Sequence, residues 1–120
     1  MKSVHPRSQK SPPILLIEDT ASLQLIYRTV LQGAGHQVRL ASSAQEGIAA
    51  FAEIRPQVVL LDLGLPDRDG LDLLREMLGQ QPNTRVVVIT ANGSINKAVE
   101  AMRAGAPIEV RSLQEWTTPS

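Results

Sequence analysis

Residues 58–70 read VVLLDLGLPDRDG, and this stretch decides the fold. Four apolar residues, Val58, Val59, Leu60 and Leu61, run directly into Asp62, the pattern of a strand buried on both faces that delivers one carboxylate to its C-terminal edge. The Pro66, Asp67, Asp69 and Gly70 that follow are tight-loop residues, and helical periodicity starts at Leu71. The run at Ile14–Ile17 ends in the same way, in Glu18 and Asp19. Two strands of one parallel sheet would bring both acidic groups to a single edge, where open α/β folds hold their ligands.

Working outward, the helix after Asp19 has Thr20 or a neighbour as its cap and Leu23, Ile26, Tyr27, Val30, Leu31 and Ala34 on one face, with Gly33 and Gly35 at its end. Residues 37–41 form a short second strand, and Ser43 with Glu46 has capping-box spacing for a helix reaching Ile54, its stripe Ala44, Ile48, Phe51 and Ala52. A third helix, 71–80, carries Leu71, Leu74, Met77 and Leu78. The strand Arg85–Thr90 follows, then a polar loop 91–93, and Ser94 opens a fourth helix with Ile95, Ala98, Val99 and Met102. Strict β-α alternation argues for a doubly wound, mostly parallel sheet with helices on both faces.

Composition narrows the function. The 120 residues suit one domain, and an aromatic content of 2% implies an aliphatic core and argues against nucleic-acid stacking platforms. Lys2, Arg7 and Lys10 lie in a Ser- and Pro-rich leader, 1–13, that contains no acid; nine basic residues then face twelve acidic ones, so no phosphate-backbone footprint is expected. The leader reads as disordered, without the apolar core of a signal peptide. The chain has no cysteine and no membrane-length apolar run, which makes the cytoplasm the expected location, with no direct nucleic-acid or membrane partner.

Glu18, Asp19 and Asp62 together make a hard oxygen site suited to a divalent cation such as Mg²⁺; the competing reading is three solvated loop acids. Thr90 ends the neighbouring strand, with a hydroxyl able to donate to an oxyanion, although a strand-end threonine is also simply a good β former. The acids Asp67 and Asp69, further along the loop, read as solvated.

With ILLIEDT, LLDLGLPDRDG, VVVITANGS and AVEAMRAGA in this order, the chain resembles the receiver domain of bacterial two-component response regulators over 14–106. The resemblance implies a flavodoxin-like fold of five βα units. It implies phosphorylation of Asp62 by a sensor histidine kinase or phosphotransfer protein, with Mg²⁺ held by Asp19, Asp62 and the main-chain carbonyl of Gly64, with Glu18 acting through metal-bound water, and with Thr90 as the switch hydroxyl. On this reading the domain is not an enzyme. An aspartyl-phosphate hydrolase or phosphotransferase would be expected to carry DxD at the nucleophile strand, whereas the second residue after Asp62 is Gly64.

The resemblance breaks in residues 107–120, PIEVRSLQEWTTPS. The family's lysine would fall at Ser112 and its proline at Leu113, and no aromatic precedes Trp116. Residues 108–110 admit a short edge strand. Arg111 stands beside the lysine position, but a guanidinium fork does not replace an ammonium, and it reads as solvent-exposed. Too little sequence follows for a full fifth helix, so the last βα unit is expected to be incomplete. That would uncover apolar surface on the first and third strands, which a homodimer or domain exchange could cover, and an output domain is a further expected partner if the chain is a piece of a longer regulator. Two functions stay open, a phosphoacceptor switch and a degenerate receiver that serves as a non-switching protein-interaction domain.

Overall fold

The computed structural model describes residues 12–90 and 108–112. Its elements are β1 (Ile14–Ile17), α1 (Ala21–Gly33), β2 (Val38–Ala41), α2 (Ala44–Ile54), β3 (Val58–Asp62), α3 (Gly70–Gln80), β4 (Arg85–Thr90) and β5 (Ile108–Ser112). The described strands form one parallel sheet in the order β2-β1-β3-β4-β5, as the doubly wound reading requires. The expected fourth helix and its cap Ser94, most of the leader and the end of the tail lie outside the described residues.

Alternation along each strand explains how one sheet buries both faces. Leu15, Ile17, Val59, Leu61, Val86 and Val88 pack with α2 and α3 through Ala44, Ala50, Phe51, Leu71, Leu74 and Met77. The intervening residues Leu16, Leu60, Val87 and Ile89 pack on the other side with Tyr27 and Leu31 of α1. Continuous apolar strands are what a two-sided core demands.

Several details differ from the sequence reading. Val30 is 41% exposed, because α1 faces the sheet along the line of Tyr27 and Leu31. Ala34 lies beyond the helix as its C-cap residue, and Gln37 precedes β2. Ala52 is exposed, and the buried face of α2 is Ala44, Gly47, Ala50 and Phe51. Gly47 sits so close to β1 that a Cβ there would fall 2.7 Å from Ile17 Cδ1, so this helix docks through small residues that a hydrophobic stripe does not register. The expected loss of cover over β1 and β3 is not seen: Leu15, Leu16, Val59 and Leu60 are all at most 2% exposed. Residues 108–112 form a five-residue strand parallel to β4, longer than the sequence pattern indicated.

Candidate functional site

Parallel pairing brings the ends of β1 and β3 together, with Ile17 in register with Leu61, so Glu18, Asp19 and Asp62 emerge side by side. One carboxylate oxygen of each lies within 4.8 Å of the others. Sequence reasoning named all three, and the structure brings them together. Their environments differ. Asp19 is exposed and Asp62 half-buried, but Glu18 is 1% exposed, which excludes the picture of three solvated acids.

The Glu18 carboxyl is raised from its ordinary 4.5 to about 7, chiefly by burial and then by the Asp62 charge, against the Thr20 backbone N–H that donates to Oε2 at 3.0 Å and lowers it. Thr20, the residue preceding α1 and the cap expected from sequence, makes no side-chain capping bond. The Gln24 amide donates to the Glu18 carbonyl at 2.6 Å and to Ser42 Oγ at 3.1 Å, tying the end of β1 to the β2–α2 loop. Tyr27, read from sequence as a core residue, belongs to this electrostatic environment too: burial first, then the Glu18 and Asp62 charges, push its phenol up to about 12.

Asp62 is steadied from its own loop. The Gly64 N–H donates to Asp62 Oδ1 at 2.9 Å, which fixes the rotation of the carboxylate. Gly70 holds the loop close, since a Cβ there would lie 2.5 Å from Leu63 Cα. The two loop acids read as solvated both cap helices. Asp69 Oδ1 accepts the Leu71 N–H of α3 at 2.9 Å. Asp67 accepts the Ala44 N–H on Oδ1 at 2.9 Å and the Gln45 N–H on Oδ2 at 3.1 Å, at the start of α2. Those donors, Ala44 first, lower its carboxyl below the ordinary value of 3.8. The loop composition signalled a turn, but nothing local signals a contact with residues more than twenty positions earlier.

On the other half of the edge, Thr90 ends β4 and pairs in register with Ser112 of β5. Ser112 is therefore the residue that the sheet brings beside Thr90, where counting had put the family's lysine. The side chains of Thr90, Arg111 and Ser112 lie outside the described part of the structure.

A carboxyl held partly neutral by its burial and, to a lesser degree, by its acidic neighbours, next to an exposed and a half-buried carboxylate, is a donor set short of positive charge. It fits a hard divalent cation, which oxygen ligands hold and which would favour the ionised form of all three. Among the described residues no helix is long and apolar enough to cross a membrane.

Comparison with known proteins agrees with this geometry. Residues 14–108 match the model of the response regulator receiver domain. The chain is 37% identical over 91 residues to the regulatory protein LuxO of Vibrio vulnificus, covering 76% of this chain and 20% of LuxO. It is 28% identical over 94 residues to the chemotaxis protein CheY of Thermotoga maritima, covering 78% of each. Among solved structures, the receiver domain of NtrX from Brucella abortus superposes with a TM-score of 0.76 at 34% identity, covering 83% of this chain and 84% of that one. The chain spans about a fifth of the length of the LuxO relatives it matches.

Proposed function

The chain belongs to the response regulator receiver domain family, and on that premise we propose that it is a phosphoacceptor module of a two-component relay, with Asp62 as the acceptor. The observation that carries the reading is the convergence of Asp62 with Glu18 and Asp19, of which Glu18 is held partly neutral first by its burial and then by the acids beside it. Asp62 Oδ would form a bond to phosphorus as the donor's bond to phosphorus breaks and the leaving group takes the electron pair. Mg²⁺ held by Asp19, Asp62, the Gly64 carbonyl and, through water, Glu18 would supply the charge neutralisation that lets an anion approach an anion. The chain's own part is to orient Asp62 through the Gly64 N–H and to release the Glu18 proton as the cation arrives. Thr90 would act as the switch hydroxyl toward the phosphoryl oxygens. The donor partner would be a sensor histidine kinase or phosphotransfer protein in the cytoplasm, and the output a protein-binding face or an output domain in the same polypeptide. The role is that of a signalling module, not of an enzyme.

A second reading, a receiver that binds a partner without switching, is favoured by Ser112 pairing with Thr90, since a neutral side chain replaces the family's cation there. Beryllofluoride, which mimics an acyl phosphate on a carboxylate, separates the two. With Mg²⁺ present it should raise the melting temperature of the wild type and not of Asp62→Asn. Identical melting of the wild type with and without beryllofluoride would favour the second reading.

A further inference from the structure

The loop that follows Asp62 is held at both ends by ordinary means: Leu63 and Leu65 are buried in the core, and Asp69 caps α3. Arg68 also points back to α3, with Nη1 2.6 Å from Glu76 Oε1 and Nη2 donating to the Asp72 carbonyl at 3.3 Å. Asp67 alone among these loop residues reaches by hydrogen bond into a different βα unit. Its carboxylate takes the first two N–H groups of α2, those of Ala44 and Gln45, while Ser43 Oγ takes the third, from Glu46, at 3.1 Å. These are donors that no bond within the helix can satisfy. A surface aspartate that satisfies two of them with both oxygens is fixed in place by the helix it caps.

The contact closes a chain of hydrogen bonds around the acidic site. Gln24 ties the Glu18 carbonyl to Ser42, and the Ser42 N–H donates to Glu46 Oε1 at 2.8 Å in the first turn of α2. Asp67 then ties that turn to the loop bearing Asp62 and Gly64. Without it, the segments carrying Glu18 and Gly64 share no described hydrogen-bonded route through α2.

We infer that Asp67 is a positioning residue for the cation site, a clamp that uses the start of α2 to hold the Gly64 segment of the loop in register with Glu18 and Asp19. The inference rests on the phosphoacceptor reading, because it assigns Asp67 a part in the same site. Asp67 itself stays three residues away from Gly64 and touches neither cation nor phosphoryl group. Leu63 and Leu65 continue to anchor the loop when the clamp is removed, so the effect is on how often the site is assembled. A site that is competent for a smaller fraction of the time binds its ligand more weakly by that fraction, and for Asp67→Ala a rise of about fivefold in the Mg²⁺ half-saturation is expected.

The test is calorimetric titration of the full chain with Mg²⁺, alongside acetyl phosphate labelling of Asp62 across a Mg²⁺ series, in the wild type, Asp67→Ala and Asp67→Asn. Asp67→Ala should raise the half-saturation in both measurements while the labelling rate at saturating Mg²⁺ stays near that of the wild type. Asn keeps one acceptor oxygen, so Asp67→Asn should recover part of the difference. A general loss of structure would lower the saturated rate as well, and Asp67→Asn, which is isosteric, covers the case in which the alanine variant folds poorly. Wild-type Mg²⁺ binding with the same half-saturation in both variants would overturn the clamp and leave the phosphoacceptor reading standing. Wild-type binding without labelling would remove the phosphoacceptor reading, and the calorimetric half-saturations alone would then decide the clamp. A wild type that binds no Mg²⁺ would remove both.

Discussion

The C-terminal edge of the sheet has two unlike halves. At β1 and β3, Glu18, Asp19 and Asp62 converge within 4.8 Å and are surrounded by bonds from Thr20, Gln24, Gly64 and, through α2, Asp67. At β4 and β5, Thr90 pairs with Ser112, and the residue at the position of the family's cation is neutral. The first half contains what is needed to gather a cation and an acceptor carboxylate. In the second, the residue paired with Thr90 is neutral where the family resemblance expects a cation to steady the phosphoryl oxygens. On the proposed reading, accepting a phosphoryl group and responding to it would be separable properties of one edge.

The largest effect should come from making the halves alike. Ser112→Lys restores a cation beside Thr90, and one well-placed charge contact in a water-poor site is worth on the order of a hundredfold in rate, so labelling by acetyl phosphate should accelerate by about that factor. Equal rates in the two proteins would show that the second half has no bearing on the chemistry.

Next in size is a change confined to the acidic half. Gly70→Ala forces a methyl to within 2.5 Å of Leu63 Cα and 2.9 Å of the Leu63 carbonyl oxygen, where backbone must move. Overpacking of this kind costs about 1–3 kcal/mol, and chemical denaturation should register it, with slower labelling of the adjacent Asp62. An unaltered denaturation midpoint would mean that the loop yields freely and is not what steadies Asp62.

Within the acidic half the ligands should be unequal. Asp19→Asn removes an exposed carboxylate and should weaken Mg²⁺ by about tenfold, the magnitude of one modest charge interaction, whereas Glu18→Gln, which removes a group already partly neutral without the cation, should weaken it less. Calorimetry giving the reverse order would place the dominant ligand at Glu18.

A further effect is in pH dependence. Glu18 in the folded protein titrates near 7, above its ordinary 4.5, so between these values the folded state holds a proton that the unfolded chain has released. Stability in EDTA should therefore fall as pH rises from about 4.5 to 7, and Glu18→Gln should flatten that decline in thermal melts. A decline of the same steepness in Glu18→Gln would assign it to another group.

The strands and the three acids were legible because a sheet covered on both sides needs uninterrupted apolar runs, and because an acid directly after such a run has no place to go but the edge. The capping of α2 by Ser43 was legible for a similar reason, since Ser43 and Glu46 are neighbours in sequence. Faces were read less well. Val30 and Ala52 count as apolar but turn outward, while Gly47, which has no side chain to count, makes the closest approach to β1. Burial of Glu18 depends on what α1 and the β2–α2 loop bring over it, and the reach of Asp67 to α2 depends on how two βα units dock. Neither follows from a local pattern. A short strand at 108–110 was legible, but its extension through Arg111 and Ser112 was not, because those two polar residues carry no apolar signal.

On the proposed reading the β1–β3 half of the edge is sufficient for cation-dependent phosphoryl acceptance, with Ser112 as it stands. Intact-mass measurement of the wild type and Asp62→Asn after incubation with acetyl phosphate, in Mg²⁺ and in EDTA, tests it most directly. A single phosphoryl addition is expected in the wild type with Mg²⁺, none in EDTA, and none in Asp62→Asn under either condition. Label that persists in Asp62→Asn, or a wild type that stays unlabelled in Mg²⁺, would contradict it.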